Sequence, residues 1–119
     1  MKMTKSGITF DAGDIVLVPF PFTNMSQTKP RPVLILSNTA YNKSSLDFVC
    51  CGITSNLNNK DHSILLDPND MENGTIPKKS RIKFNKIFTL EKTLIIKKIG
   101  KVDSKILKSV NSALFSLFS

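Results

Sequence analysis

Residues 13–37 read GDIVLVPFPFTNMSQTKPRPVLILS, and this stretch decides the fold. It holds two apolar runs, 15–20 and 33–36, joined by a polar connector over 23–29. Each run is short, rich in β-branched residues and bounded by Gly, Pro or Asn, the pattern of a buried strand. Antiparallel pairing of the two makes a hairpin with a long loop. Pro19, Pro21, Pro30 and Pro32 sit at the edges of the runs. There they give up few ladder hydrogen bonds and stiffen the loop's entry and exit. Arg31 stands where the loop becomes the second strand; with Arg81 it is one of two arginines in the chain. A guanidinium held at a strand end between two prolines is a rigid fork for a phosphate or carboxylate.

Working outward, residues 1–12 read as a loosely held lead-in. Downstream, 38–45 (NTAYNKSS) has turn composition. Residues 47–54 (DFVCCGIT) form a continuous apolar run, as expected of a third strand covered on both sides. A polar loop, 55–61, leads to a fourth strand over 62–67. Residues 68–79 read as a long loop carrying the turn signal Asn73-Gly74. In 80–85 (SRIKFN) the pattern alternates. It predicts Ile82 and Phe84 on a buried face, with Arg81, Lys83 and Asn85 on a basic open face. Short strands follow over 87–90 and 94–99. The period then changes: Ile106, Leu107, Val110, Ala113, Leu114, Leu117 and Phe118 fall on one helical stripe. Asp103 or Ser104 caps that helix, which spans 103–118. The reading is a mainly β chain, six or seven short strands plus a C-terminal helix. Strands this short in antiparallel sequence favour a small twisted barrel.

The 119 residues suit one domain, 1–119, and a 40% hydrophobic share buries a modest core that dimerisation would supplement. No apolar run approaches the ~18 residues a membrane helix needs. MKMTKSGITF has lysines but no apolar segment behind them, so it does not read as a signal peptide. Cys50 and Cys51 are neighbours in a strand and point to opposite faces, which disfavours a mutual disulfide. They read as reduced residues of a cytoplasmic protein. One His and no second cysteine pair argue against zinc, and no metal or other cofactor is expected.

The net charge of +8 is unevenly spread. Residues 1–77 carry six basic and seven acidic side chains; residues 78–119 carry eleven and two. A polyanion partner fits that asymmetry, and so does a soluble basic surface with no partner. The chain has no glycine-rich phosphate loop and no paired-carboxylate signature. His62, the only histidine, opens a strand beside Asp61 and reads as a solvated strand end. What remains is a polar set at strand ends: Arg31, Thr54, Ser55, Ser80, Arg81, Lys83 and Asn85. Cations and hydroxyls of this kind suit RNA cleavage by 2′-hydroxyl attack, in which charge builds on the non-bridging oxygens. Phe20, Phe22 and Tyr41 are aromatic candidates for base stacking, with Phe20 better suited to the core. On spacing alone, Arg31 is by default an ordinary surface ion-pair partner.

The blocks Gly13-Asp14-Ile15-Val16, Pro19-Phe20-Pro21-Phe22-Thr23 and Arg31-Pro32-Val33-Leu34-Ile35-Leu36-Ser37 resemble the PemK/MazF family of toxin endoribonucleases. Ile53-Thr54-Ser55, the loop 74–80, residues 87–90 and Ile99-Gly100-Lys101-Val102 resemble its later blocks, in the same order and spacing. The resemblance covers nearly the whole chain from Gly13 to the final helix. It implies a small SH3-like antiparallel β-barrel with a C-terminal helix, and a homodimer. It implies a cytoplasmic, metal-independent endoribonuclease that cuts single-stranded RNA at short sequences and is neutralised by an acidic antitoxin.

Carried over residue by residue, the Arg-Pro arginine falls on Arg31, a phosphate-stabilising and acid role. The I-T-S threonine falls on Thr54. A position some members fill with arginine falls on Lys83, and the acidic position two residues later falls on Asn85. Asparagine cannot act as a general base, and lysine keeps the charge but loses the bidentate fork. The RNA-binding set is Phe22, Thr23, Lys29, Ser55, Lys78, Lys79, Ser80 and Arg81. Two rivals share this fold: a non-enzymatic toxin that binds a protein target such as gyrase, and a catalytically weak RNA-binding regulator.

Overall fold

The two apolar runs of 13–37 lie side by side as β1 (Asp14–Phe20) and β2 (Lys29–Ile35), antiparallel, with Ile15 opposite Leu34 and Val18 opposite Arg31. The computed structural model describes residues 8–21 and 28–119. After β2 come α1 (Thr39–Ser44), β3 (Asp47–Thr54), β4 (Ser63–Leu66), β5 (Met71–Gly74), β6 (Ser80–Glu91), β7 (Lys97–Val102) and α2 (Ser104–Phe118). All seven strands pair antiparallel in the order β4-β6-β3-β2-β1-β7-β5. The sheet curls into a half-barrel, and α2 packs on it.

Both faces of the central strands are covered, which is why their sequences run apolar without alternation. Ile15, Leu34 and Cys51 face one core together with Ile82, Val102 and Val110 of α2. Val16, Val18, Val33, Ile35, Phe48 and Cys50 face the other. The adjacent cysteines thus enter different cores as free thiols, and burial pushes both thiols up to about 12.

Several local expectations change. Residues 39–44 form a helix rather than a turn: the Asn38 side chain accepts from Tyr41 N at 2.8 Å, an N-cap whose composition also reads as a turn. Within 68–79, a 3₁₀ turn (Pro68–Asp70) leads into β5, which pairs with β7. Gly74 does not turn the chain. It ends β5 at φ +68°, where a Cβ would lie 2.2 Å from the Ile99 carbonyl, so β5 and β7 come closer than a side chain allows. Residues 87–90 are not a separate strand but the second half of β6. Residues 92–94 form a 3₁₀ turn, and β7 begins at Lys97.

Within 8–12 the lead-in is tied down. Phe10 packs on the second core, and its carbonyl accepts from Asn42 Nδ2 at 2.8 Å. The Thr39 hydroxyl donates to Asp11 at 2.5 Å and, with Lys101 and Lys98 nearby, holds that carboxyl below its usual range. Asp103 caps α2 by accepting from Ile106 N at 2.9 Å. Val110 is fully buried, but the stripe outruns the sheet: Phe118 at its end is 76% exposed, and Phe115, off the stripe, is 75% exposed.

Candidate active site

Four adjacent strands, β1, β2, β3 and β6, carry a groove of about 310 Å³ on their surface. Its walls are apolar, with Phe20, Pro32 and Phe88 among them, and its polar groups are Arg31, Thr54, Asn59, Lys83 and Lys86. Phe20 is a wall and not a core residue: it is 41% exposed. Arg31 and Thr54 meet because β2 and β3 run antiparallel with Val33 opposite Gly52. Continuing that register two residues brings Arg31 alongside Thr54 at one end of the sheet.

The three groups are held differently. The Arg31 side chain is exposed and makes no hydrogen bond or ion pair with any described residue. Thr54 Oγ1 accepts from Asn56 N at 3.1 Å, which leaves its own O–H directed elsewhere as a donor. Lys83 is 5% exposed. Its ammonium donates to Asn59 Oδ1 at 2.8 Å and to the Asp61 carbonyl. Both are neutral oxygens of the β3–β4 loop, so the charge is hydrogen-bonded but not neutralised. Among the described residues that line the groove there are three cations and no carboxylate or imidazole. Such a site attracts an anion and favours added negative charge.

Lys83 was expected on an open face; Ile82 and Phe84 share one core as the alternation has it, but the β3–β4 loop covers Lys83, its Asn59 and Asp61 oxygens taking the ammonium. Gly52 of β3 pairs with Lys83, yet the preceding Cys51 pairs with Ile87. Phe84, Asn85 and Lys86 have no partner on β3; they form a bulge that breaks the alternation. Lys83 and Phe84 are both buried, Lys86 reaches the groove, and Asn85 is exposed and does not line it.

The remaining sequence-derived residues lie around this centre. Lys29 is exposed at the start of β2, opposite Phe20, and Ser55 is exposed next to Thr54. Lys78 and Lys79 are exposed on the loop before β6, with Lys79 3.8 Å from Asp67. Ser80 is buried and donates to the Lys78 carbonyl at 3.0 Å. Arg81 Nε donates to the Leu57 carbonyl at 2.7 Å and Nη1 to Ser63 Oγ at 3.3 Å, bracing the β3–β4 loop. None of these six lines the groove. Phe22 and Thr23 lie outside the described residues. Asn59, Lys86 and Phe88 line the groove without having been singled out from the sequence. The bulge carries Lys86 there, and the Asn59 side chain is held by a contact spanning 24 residues. Neither leaves a local signal. Among the described residues no three His, Cys, Asp or Glu side chains cluster as a metal would require, and no helix is long and apolar enough to cross a membrane.

Solved structures share this fold at low sequence identity. MazE–MazF from Deinococcus radiodurans superposes with a TM-score of 0.75 at 22% identity, covering 92% of this chain and 96% of that one. An endoribonuclease in complex with its cognate antitoxin, from a mycobacterial species, gives 0.70 at 21%, covering 91% of each. An endoribonuclease from a mycobacterial species gives 0.72 at 20%, covering 94% and 93%. No curated protein matches the sequence. The family model described as PemK-like, MazF-like toxin of type II toxin–antitoxin system matches residues 11–118. The match spans both halves of the groove and the closing helix, and the chain belongs to that family.

Proposed function

We propose that this toxin is a metal-independent endoribonuclease that cuts single-stranded RNA at short sequences. The observation that carries the reading is the groove's charge: Arg31, Lys83 and Lys86 converge on it, and no acidic residue is among its described lining residues. The 2′-hydroxyl attacks the adjacent phosphorus and gives up its proton to water, the bond to the 5′-oxygen breaks, that oxygen takes up a proton, and the products are a 2′,3′-cyclic phosphate and a 5′-hydroxyl. Arg31, exposed and without a side-chain partner among the described residues, aims its fork at the non-bridging oxygens, stabilises the charge that builds there and gives the leaving oxygen a proton that water restores. The Thr54 hydroxyl donates a second hydrogen bond. Lys83 supplies a fixed positive charge from beneath, where low exposure reduces screening. The apolar walls, Phe20 and Phe88 included, accept stacked bases. With Asn85 in place of a carboxylate, rate enhancement rests on charge stabilisation, and turnover is slow relative to an enzyme with a positioned base.

The expected partners are single-stranded RNA, an acidic antitoxin that covers the basic groove, and a second copy of the chain. Exposed Phe115 and Phe118 beside Leu36, Val49 and Ile87 offer an apolar face suited to that copy. The cytoplasm, where RNA and reduced thiols coexist, is the fitting compartment. The test is to incubate the purified chain with a long RNA, with and without EDTA, and to analyse the new ends. Cuts bearing cyclic phosphate in both samples support the reading; activity lost to EDTA and restored by magnesium overturns it.

A further inference from the structure

The β3–β4 loop (SNLNNKD, 55–61) is polar and exposed, yet its backbone is closely held. Thr54 Oγ1 accepts from Asn56 N at 3.1 Å, Asn56 Oδ1 accepts from Asn58 N at 3.1 Å, and Arg81 grips the Leu57 carbonyl from below. At its centre Asn59 lines the groove, and its Oδ1 takes the Lys83 ammonium at 2.8 Å. That contact fixes which way the amide faces. An ammonium has three donors and no acceptor, so only the oxygen of the amide can meet it. The Asn59 NH₂ therefore points away from Lys83, and it makes no hydrogen bond to any described residue. Asn59, a lining residue of the same cavity as Arg31 and Thr54, thus keeps a donor pair uncommitted to any described residue, on a loop that needs little further ordering.

Resting on the nuclease reading above, we infer that Asn59 is a base-reading residue of this toxin. Its amide hydrogens select a keto base, uracil or guanine, next to the scissile phosphate. The carbonyl of either base accepts from the NH₂ group. The exocyclic amino group of cytosine or adenine at the same edge presents donor against donor. Lys83 acts as the positioning residue: without its charge the amide could rotate and present its oxygen instead. One hydrogen bond, made in one case and left unmade in the other, corresponds to a preference of roughly tenfold.

The experiment uses the full chain and an RNA library randomised over the cut region, with the cut ends sequenced. The expected wild-type result is enrichment of uracil or guanine, about tenfold, at one position flanking the cut. Asn59→Ala should flatten that position while others keep their preferences. Asn59→Asp should tilt it toward cytosine or adenine, because a carboxylate accepts from exocyclic amino groups and still pairs with Lys83. Circular dichroism establishes that both variants fold. Wild-type cleavage with no base preference at any flanking position overturns the inference, as does a preference identical in all three proteins. In either case the nuclease reading stands. A wild-type chain that cuts no RNA overturns the nuclease reading and this inference with it.

Discussion

The two cations that the sequence singled out for the groove are supported in opposite ways. Arg31 sits at the start of β2, exposed and without a partner among the described residues. Lys83 sits one residue before the bulge of β6, buried, with its ammonium bound to the Asn59 and Asp61 oxygens. An exposed guanidinium contributes little to folding, and on the proposed function its part is to bind the phosphate. A buried ammonium is expensive to desolvate, and its hydrogen bonds hold the loop above it. On the proposed function, the first is a functional group mounted on a strand. The second is both a charge in the site and part of the structure that builds the site.

Substitution separates the two. Arg31→Ala is expected to reduce cleavage by ~10²-fold or more, the usual consequence of losing a transition-state donor. Its stability should change by less than about 0.5 kcal/mol, because no cavity opens and no buried partner is orphaned. Single-turnover cleavage of a short RNA together with a thermal melt checks both halves; a folded mutant retaining a third of the parent rate would remove Arg31 from the role. Lys83→Ala should lower activity too, but it should also cost about 1–3 kcal/mol, since two loop oxygens lose their donor. Urea unfolding measures this. A stability equal to the parent's would mean that the ammonium does not hold the β3–β4 loop.

How much could be read in advance follows the same division. Arg31 and Thr54 lie on β2 and β3, two residues beyond the regular pairing of Ile35–Cys50 to Val33–Gly52, so residue type and spacing locate them at one sheet end. The apolar runs of 15–20, 33–36 and 47–54 likewise disclose strands covered on both faces. On β6, alternation predicts Lys83 and Asn85 facing one way, and a bulge of three residues after Lys83 sends them to different environments. No local pattern encodes that bulge; it arises where β3 must continue from one half of β6 to the other. Asn59 is hidden for a related reason. Its side-chain contact is with a lysine 24 residues away, and the loop composition alone signals only a turn.

Salt dependence sharpens the contrast further. If three groove cations neutralise phosphates, the logarithm of RNA affinity should fall with the logarithm of salt at a slope of roughly −2. Arg31→Ala should reduce the slope by about 0.7, the single-strand value for one contact. Lys79→Ala should leave it nearly unchanged, because Lys79 lies outside the groove and within 3.8 Å of Asp67. Fluorescence anisotropy with a short labelled RNA reads all three slopes. A flat response in the wild type would point to a protein target instead of RNA.

The smallest effect is expected at Asn85, and it probes the bulge itself. Asparagine stands where the resemblance calls for an acidic residue, so Asn85→Asp restores a carboxylate. A well-positioned general base typically contributes ~10²–10⁴-fold. Here the side chain is exposed and does not line the groove, although its neighbour Lys86 does. A carboxylate on the bulge would be drawn toward Lys86 and Lys83. Those cations would keep it ionised at neutral pH and also weaken it as a base. Reaching the 2′-hydroxyl would then require the bulge to shift or a water to bridge the gap. The expected gain is therefore no more than about tenfold, below the lower end of the range for a base in direct contact. Single-turnover rates on one RNA, parent against mutant, measure it. A gain of a hundredfold would mean that the bulge brings residue 85 into the groove when RNA binds. An unchanged or lower rate would mean that the proton leaves by another route, and that Arg31 and Thr54 carry the reaction with the fixed charge of Lys83 beneath them.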